Sequence, residues 1–174
     1  HPLRYAIVER RMLSPAGLCE AECSCHPGQA EEAAKFYVSV FKNSRITQIT
    51  HYTGEEPSGM KGQVMTVDFE LDGEQFVALN GGPQFKFTEA ISFVINCGTQ
   101  EEIDYYWEKL TADGGEEVQC GWLADKYGLS WQVVPSMFFV EWAKDPAGLQ
   151  RVMHELMQMK KLDLAKLQAA YDRK

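Results

Sequence analysis

Apolar residues recur at two different periods along this chain. In "AEEAAKFYVSVF", residues 30–41, Ala33, Phe36, Tyr37 and Val40 fall at i, i+3, i+4 and i+7. In "QEEIDYYWEKL", residues 100–110, the same spacing returns at Ile103, Tyr106, Trp107 and Leu110. Each pattern predicts a helix with one buried stripe. The two helices also look alike at a shift of seventy, Glu31 and Glu32 meeting Glu101 and Glu102, and Phe36, Tyr37 and Val40 meeting Tyr106, Trp107 and Leu110. Acidic pairs in a first turn suit the positive end of the helix dipole, and Thr99 is placed to cap the second helix.

Between and after the helices the period drops to two, which predicts strands. They are "ITQITHY" (46–52), "QVMTVDFEL" (63–71), "EQFVALN" (74–80), "EAISFVINC" (89–97), "EEVQC" (116–120), "GWLAD" (121–125) and "LSWQVVP" (129–135). Asp72-Gly73 joins the second and third as a hairpin. In 89–97, Ile91, Phe93 and Ile95 share one face and Ser92, Val94 and Asn96 the other. The second half therefore reads β-α-β-β-β. The first half reads the same if residues 21–25 form its opening strand. Two βαβββ modules make an α+β fold, each curling into half a barrel around a central cup, a natural small-molecule site. The expected organisation is a divergent segment over 1–28, modules over 29–84 and 85–136, and C-terminal helices over 137–174, all in one compact domain. Asp145-Pro146 predicts the start of one terminal helix and Asp163 caps another. The apolar stripe Leu149, Val152, Met153, Leu156 and Met157 lies beyond both modules and predicts packing against a partner in a homodimer.

Composition narrows the functions. The 174 residues carry a net charge of −8, with 45% hydrophobic and 24% charged residues. That is ordinary for a globular protein and lacks the basic footprint of nucleic-acid or anionic-membrane binding. No apolar run reaches the ~18 residues of a membrane span, and "HPLRYAIVERRMLSP" has charges where a signal peptide is apolar. A cytoplasmic protein is expected. The five cysteines are an odd number, which argues against a disulfide framework. Cys19, Cys23, Cys25 and His26 offer soft zinc ligands, but not at a finger or ribbon spacing. Cys97 and Cys120, at strand ends, read as buried thiols rather than nucleophiles.

The runs "AEEAAKFYVSVFKNSRI", "MTVDFELDGEQFVALNGGPQFKFTEAISFVINCGTQEEIDYYWEKL" and "GWLADKYGLSWQVVPSM" resemble the PhnB-like branch of the vicinal oxygen chelate superfamily. That group includes glyoxalase I, extradiol dioxygenases and bleomycin-resistance proteins. The resemblance covers residues 29 to about 171 and rests on "ALNGGP", "AISF" and "SWQ" in order. It departs from the family at residues 1–27, where an apolar strand is usual. Proteins of this branch often carry the label 3-demethylubiquinone-9 3-methyltransferase. That activity is disfavoured here, because "NGGP" precedes a loop and a strand, not the helix that a nucleotide cradle needs.

The resemblance also implies where a divalent metal would sit. The family's ligand positions fall on Glu22, Val77, Ser92 and Gln132 of this sequence. One carboxylate, one amide, one hydroxyl and one valine make a poor site for a hard cation. No cofactor is favoured; if a divalent metal binds, Gln132 and Glu22 are its expected ligands. Gln132 needs a reason to interrupt "GLSWQVVP", since an unpaired buried amide costs roughly 1–3 kcal/mol. Two reasons stand side by side. Ser92, Asn96 and Gln132 would give polar contacts to a small molecule in a cup walled by Val94, Val134 and Trp122. Alternatively, Ser92 and Gln132 bond each other or backbone. The expected function is binding of a small, largely apolar molecule. The alternative is a metal-dependent lyase, isomerase or dioxygenase. His51 and His154 lack a nucleophile motif and read as surface or interface residues. Phe85 and Phe87 lie in the linker between the modules.

Overall fold

The computed structural model describes residues 28–54, 61–81 and 87–173. The expected strand at 21–25, the cysteine cluster at 19–26 with Glu22, and Phe85 lie outside them. The chain divides into two compact units between Phe87 and Thr88, inside the linker.

In the first unit, helix α1 (Gln29–Val40) is followed by strands β1 (Arg45–His51), β2 (Val64–Leu71) and β3 (Glu74–Leu79). They form an antiparallel sheet in the order β1-β2-β3. Asp72 and Gly73 both take positive φ, 49° and 87°, the conformation that a two-residue type I′ hairpin demands. α1 lays Ala30, Ala33, Ala34, Tyr37 and Val40 on the sheet face carrying Val67, Phe69, Leu71 and Ala78, all buried. Three alanines let helix and sheet approach closely. Tyr37 stacks on Phe69 at 6.2 Å, and Phe69 on Phe76 at 5.6 Å.

The N-cap of α1 is Gly28, which has no side chain to offer. The cap comes from the far end of the sheet. Asn80, 2% exposed, accepts the Ala30 N–H at Oδ1 (3.0 Å) and donates from Nδ2 to the Val64 carbonyl (2.9 Å). Its own carbonyl accepts the Tyr52 hydroxyl at 2.8 Å. The asparagine of "ALNGGP" thus ties helix, central strand and β1 end together.

The second unit runs β4 (Ser92–Cys97), α2 (Gln100–Thr111), β5 (Glu116–Glu117), β6 (Trp122–Ala124) and β7 (Ser130–Pro135). Its strand order is β4-β7-β6-β5, with β4 parallel to β7 and the other pairs antiparallel. This is the expected βαβββ module, closed by its first and last strands. Thr99 caps α2 by accepting the Glu102 N–H at 3.3 Å. Ile103, Trp107 and Leu110 are buried, each worth roughly 1.5–3 kcal/mol of apolar transfer. The face they meet carries Ile95, Cys97, Leu123, Trp131 and Val133. Strand β5 is shorter than "EEVQC" predicts, because Cys120 and Gly121 turn with φ of 66° and 81°.

Three helices complete this unit: α3 (Met137–Val140), α4 (Pro146–Leu156) and α5 (Leu164–Asp172). Asp145 and Asp163 cap α4 and α5 as the sequence predicts. The stripe on α4 finds its partner within the chain: Val152 and Leu156 join Trp142, Leu162, Leu167 and Val134 in one buried cluster. Only Met157 among the large apolar residues of the stripe is prominently exposed, at 48%. The connection between α4 and α5 is fastened to the module. The Cys120 and Gly121 N–H groups donate to the carbonyls of Met159 and Lys160. Gln100 on α2 donates to the Leu162 carbonyl and accepts the Leu164 N–H. No helix among the described residues is long and apolar enough to cross a membrane.

Candidate ligand-binding face

The second unit's sheet has two faces. α2 covers one; the other carries Trp122 and Ala124 of β6, Ser130, Gln132 and Val134 of β7, and Ser92, Val94 and Asn96 of β4. Asp125 decides which residues lie where. Its buried carboxylate accepts the backbone N–H groups of Tyr127 (2.9 Å) and Leu129 (3.1 Å) at Oδ1, and the Trp131 indole N–H (2.8 Å) at Oδ2. Gly128, at φ 84°, completes the turn. Pinning the Trp131 indole, only 3% exposed, fixes the parity of β7 and so presents Gln132 on the opposite face.

There Gln132 stands between Val94 on β4 and Trp122 on β6. Its Nε2 donates to Ser92 Oγ at 2.9 Å, across forty residues of sequence. Ser92 is fully buried, and this bond offsets the desolvation of its hydroxyl. The amide still has capacity: it owns one carbonyl and two N–H donors, and the Ser92 bond is the one this side chain makes among the described residues. The Trp122 indole N–H likewise has no partner there. Val94, Gln132 and Trp122 are each half-buried. The result is an apolar band with one hydrogen-bonding group at its centre.

The six residues expected to line a cup therefore separate. Ser92, Val94, Gln132 and Trp122 come together, with Val94 also packed against the cluster of the C-terminal helices. Val134, 7% exposed, is covered by the C-terminal helices, and Asn96, its partner across the strands, is exposed. The expectation that missed this covering treated the helices as lying beyond the modules. Asp125 was missed as well; its signal is an aspartate entering a four-residue turn just before a tryptophan-bearing strand. Asn80 stands in sequence only at the head of "NGGP", with nothing beside it to mark a helix cap.

The metal positions do not fit a hard divalent cation. Of the described three, Val77 offers no donor, and Ser92 and Gln132 are neutral and bonded to each other. Among the described residues, no three His, Cys, Asp or Glu side chains cluster to hold an ion. Cys97 is buried, which pushes its thiol up to about 12, with Glu102 adding to the shift; a protonated thiol is a poor nucleophile. Burial also raises Cys120. His51 and His154 are exposed.

Comparison with known proteins bears on the whole arrangement. A solved structure described as "Putative 3-demethylubiquinone-9 3-methyltransferase, PhnB protein, from Bacillus cereus" is 38% identical, with a TM-score of 0.56 over 63% of this chain and 93% of that one. Protein PA1353 from Pseudomonas aeruginosa, 17% identical, shares the fold with a TM-score of 0.52 over 62% of this chain and 90% of that one. Among curated proteins none matches. A sequence model of the 3-demethylubiquinone-9 3-methyltransferase family matches residues 21–134, both modules included, and the chain belongs to that family, the PhnB-like group of the glyoxalase fold.

Proposed function

We propose that the protein binds a small, largely apolar molecule on the half-buried face of β4, β7 and β6. The observation that carries this reading is the row Val94–Gln132–Trp122 across three neighbouring strands. An aromatic wall and an aliphatic one flank an amide with unused donors and acceptor, the composition of an organic-ligand site rather than a metal site. Trp122 would supply the apolar contact and Gln132 the orienting hydrogen bond, with Ser92 holding the amide in place.

The family's name does not by itself carry methyl transfer to this chain. After β3, the next described element is β4, a strand; that order supports a turn at Asn80-Gly81, not a cradle for S-adenosylmethionine. A homodimer rests on the family resemblance, since the stripe of α4 is satisfied within the chain. Light scattering that gives a monomer mass would remove it.

The test combines metal content with a neutral probe. Protein purified without chelator is assayed by plasma mass spectrometry and titrated with the solvatochromic dye Nile red. The reading expects no stoichiometric metal, dye binding weakened about tenfold in Trp122→Ala, and a smaller loss in Gln132→Ala. One metal per chain that disappears in Gln132→Ala overturns it in favour of a metal-dependent lyase, isomerase or dioxygenase. S-adenosylmethionine binding in calorimetry would restore the methyltransferase.

A further inference from the structure

The first unit holds a carboxylate with no structural explanation. Asp68 occupies the middle of β2, the central strand of its sheet, on the face away from α1. Its strand neighbours are Gln48 on β1 and Val77 on β3. Asp is among the residues least suited to a strand interior, and a half-buried carboxylate normally has a hydrogen-bond or ionic partner. Asp68 is half-buried, and among the described residues it makes neither. The other acid of this face, Glu70, is already paired with Arg45 at 3.0 Å.

A second observation points to the same place. The pairing of β1 with β2 slips twice, between Ile46 and Gln48 and again between Ile49 and His51. The bulges bracket Gln48, the residue opposite Asp68. A bulge re-aims a side chain and recurs beside binding sites; here Gln48 is set opposite Asp68, while Ile46 and Ile49 pair with Phe69 and Val67 of the other face. One step further along the same face, Thr50 and Thr66 hydroxyls bond each other at 2.6 Å and retain lone pairs. Val77 and Leu79 supply the apolar flank. In the repeat, Val77 of this unit corresponds to Gln132, so Asp68 holds the place that Trp122 holds in the second unit.

We infer that this face binds an organic ammonium group, with Asp68 as counter-ion, Gln48 and the Thr50–Thr66 pair as further acceptors, and Val77 and Leu79 against the attached hydrocarbon. Every polar group named can accept, and an ammonium has donors only. A carboxylate–ammonium hydrogen bond is charge-assisted and worth more than a neutral one. The inference concerns the first unit and stands or falls independently of the Gln132 face.

The full chain is titrated in 150 mM salt with dansylcadaverine, a primary amine on an apolar fluorophore, and with its N-acetyl derivative, which keeps the fluorophore and loses the charge. The amine is expected to bind about tenfold more tightly, and Asp68→Asn to erase that preference while leaving the acetylated probe unaffected. Asp68→Ser gives the same loss if the asparagine variant folds poorly. Gln132→Ala leaves the preference intact, which separates this site from the other. Equal binding of the two probes, or a preference that survives in both Asp68 variants, overturns the inference. So does an equal loss in Glu74→Gln, an exposed acid on β3, since bulk negative charge would then explain the effect.

Discussion

Replacing Asn80 by alanine tests whether a helix can depend on a residue fifty positions away. The substitution removes the Oδ1 acceptor of the Ala30 N–H and the Nδ2 donor to Val64. Ala30 is fully buried, so its amide has no water to turn to. Loss of a cap costs about 1 kcal/mol, and stranding a buried donor costs about 1–3 kcal/mol. The Val64 carbonyl is half-buried and recovers part of its bond from solvent. The total expected is about 2–4 kcal/mol, and at about 2–4 °C per kcal/mol for a chain of this size, a fall in Tm of roughly 4–16 °C. Global melting mixes two units, so hydrogen exchange is the sharper assay. The Ala30 amide should lose its protection while amides of α2 keep theirs, and the exposed control Gln75→Ala should change nothing. A cost below about 0.5 kcal/mol, with Ala30 still protected, would refute the reasoning, because another group would then be capping α1.

Other consequences are testable together. Asp125→Ala strands the Trp131 indole and two turn amides; a loss of about 3 kcal/mol in urea unfolding is expected, with a red shift in tryptophan emission. Gly121→Ala places a Cβ 2.9 Å from both the Val133 carbonyl and Leu162 Cδ1, at a φ of 81°; about 2–3 kcal/mol of destabilisation is expected, read by calorimetry. Cys97 has its folded pKa raised to about 12 from 9.0. Its stabilising contribution is complete below pH 9 and is lost as pH rises from there towards 12, since only the unfolded thiol ionises readily. Cys97→Ala should therefore flatten the alkaline arm of the stability profile. Mapped alkylation at pH 8 should leave Cys97 unmodified until the chain unfolds.

Much of this architecture is legible in the residues because it is local. The stripe of α2, the Asp72-Gly73 hairpin and the Thr99, Asp145 and Asp163 caps each depend on neighbours within a few positions. What escapes is set by contacts remote in sequence. Gly28 gives no hint that Asn80 will serve as the cap of α1. The α4 stripe is plain in sequence, but its occupant is not: the same apolar periodicity serves a subunit interface or α5. Gln132 shows the middle case. Its misfit in an apolar strand is visible, and one of the two reasons foreseen, a bond to Ser92, is present; the unused part of the amide is what still invites a ligand. Asp68 breaks the strand rule as openly as Gln132, yet an alternating strand with a polar outer face looks ordinary in sequence; only the structure shows that Asp68 lacks a partner among the described residues.

The parallel pairing of β4 with β7 has a consequence for how the second unit comes into being. β4 is made first, and its one strand neighbour among the described residues is made last. During synthesis β4 therefore waits, with its hydrogen-bonding edge open, through the making of α2, β5 and β6. α2 can form from local contacts in the meantime, but the strand pairing, and the Ser92–Gln132 bond with it, closes a forty-residue loop. Such closures come late and slowly. Ribosome-bound chains halted before Ser130 should accordingly protect α2 amides and leave those of β4 exchanging freely; early protection of β4 would mean that something other than β7 first shelters its edge.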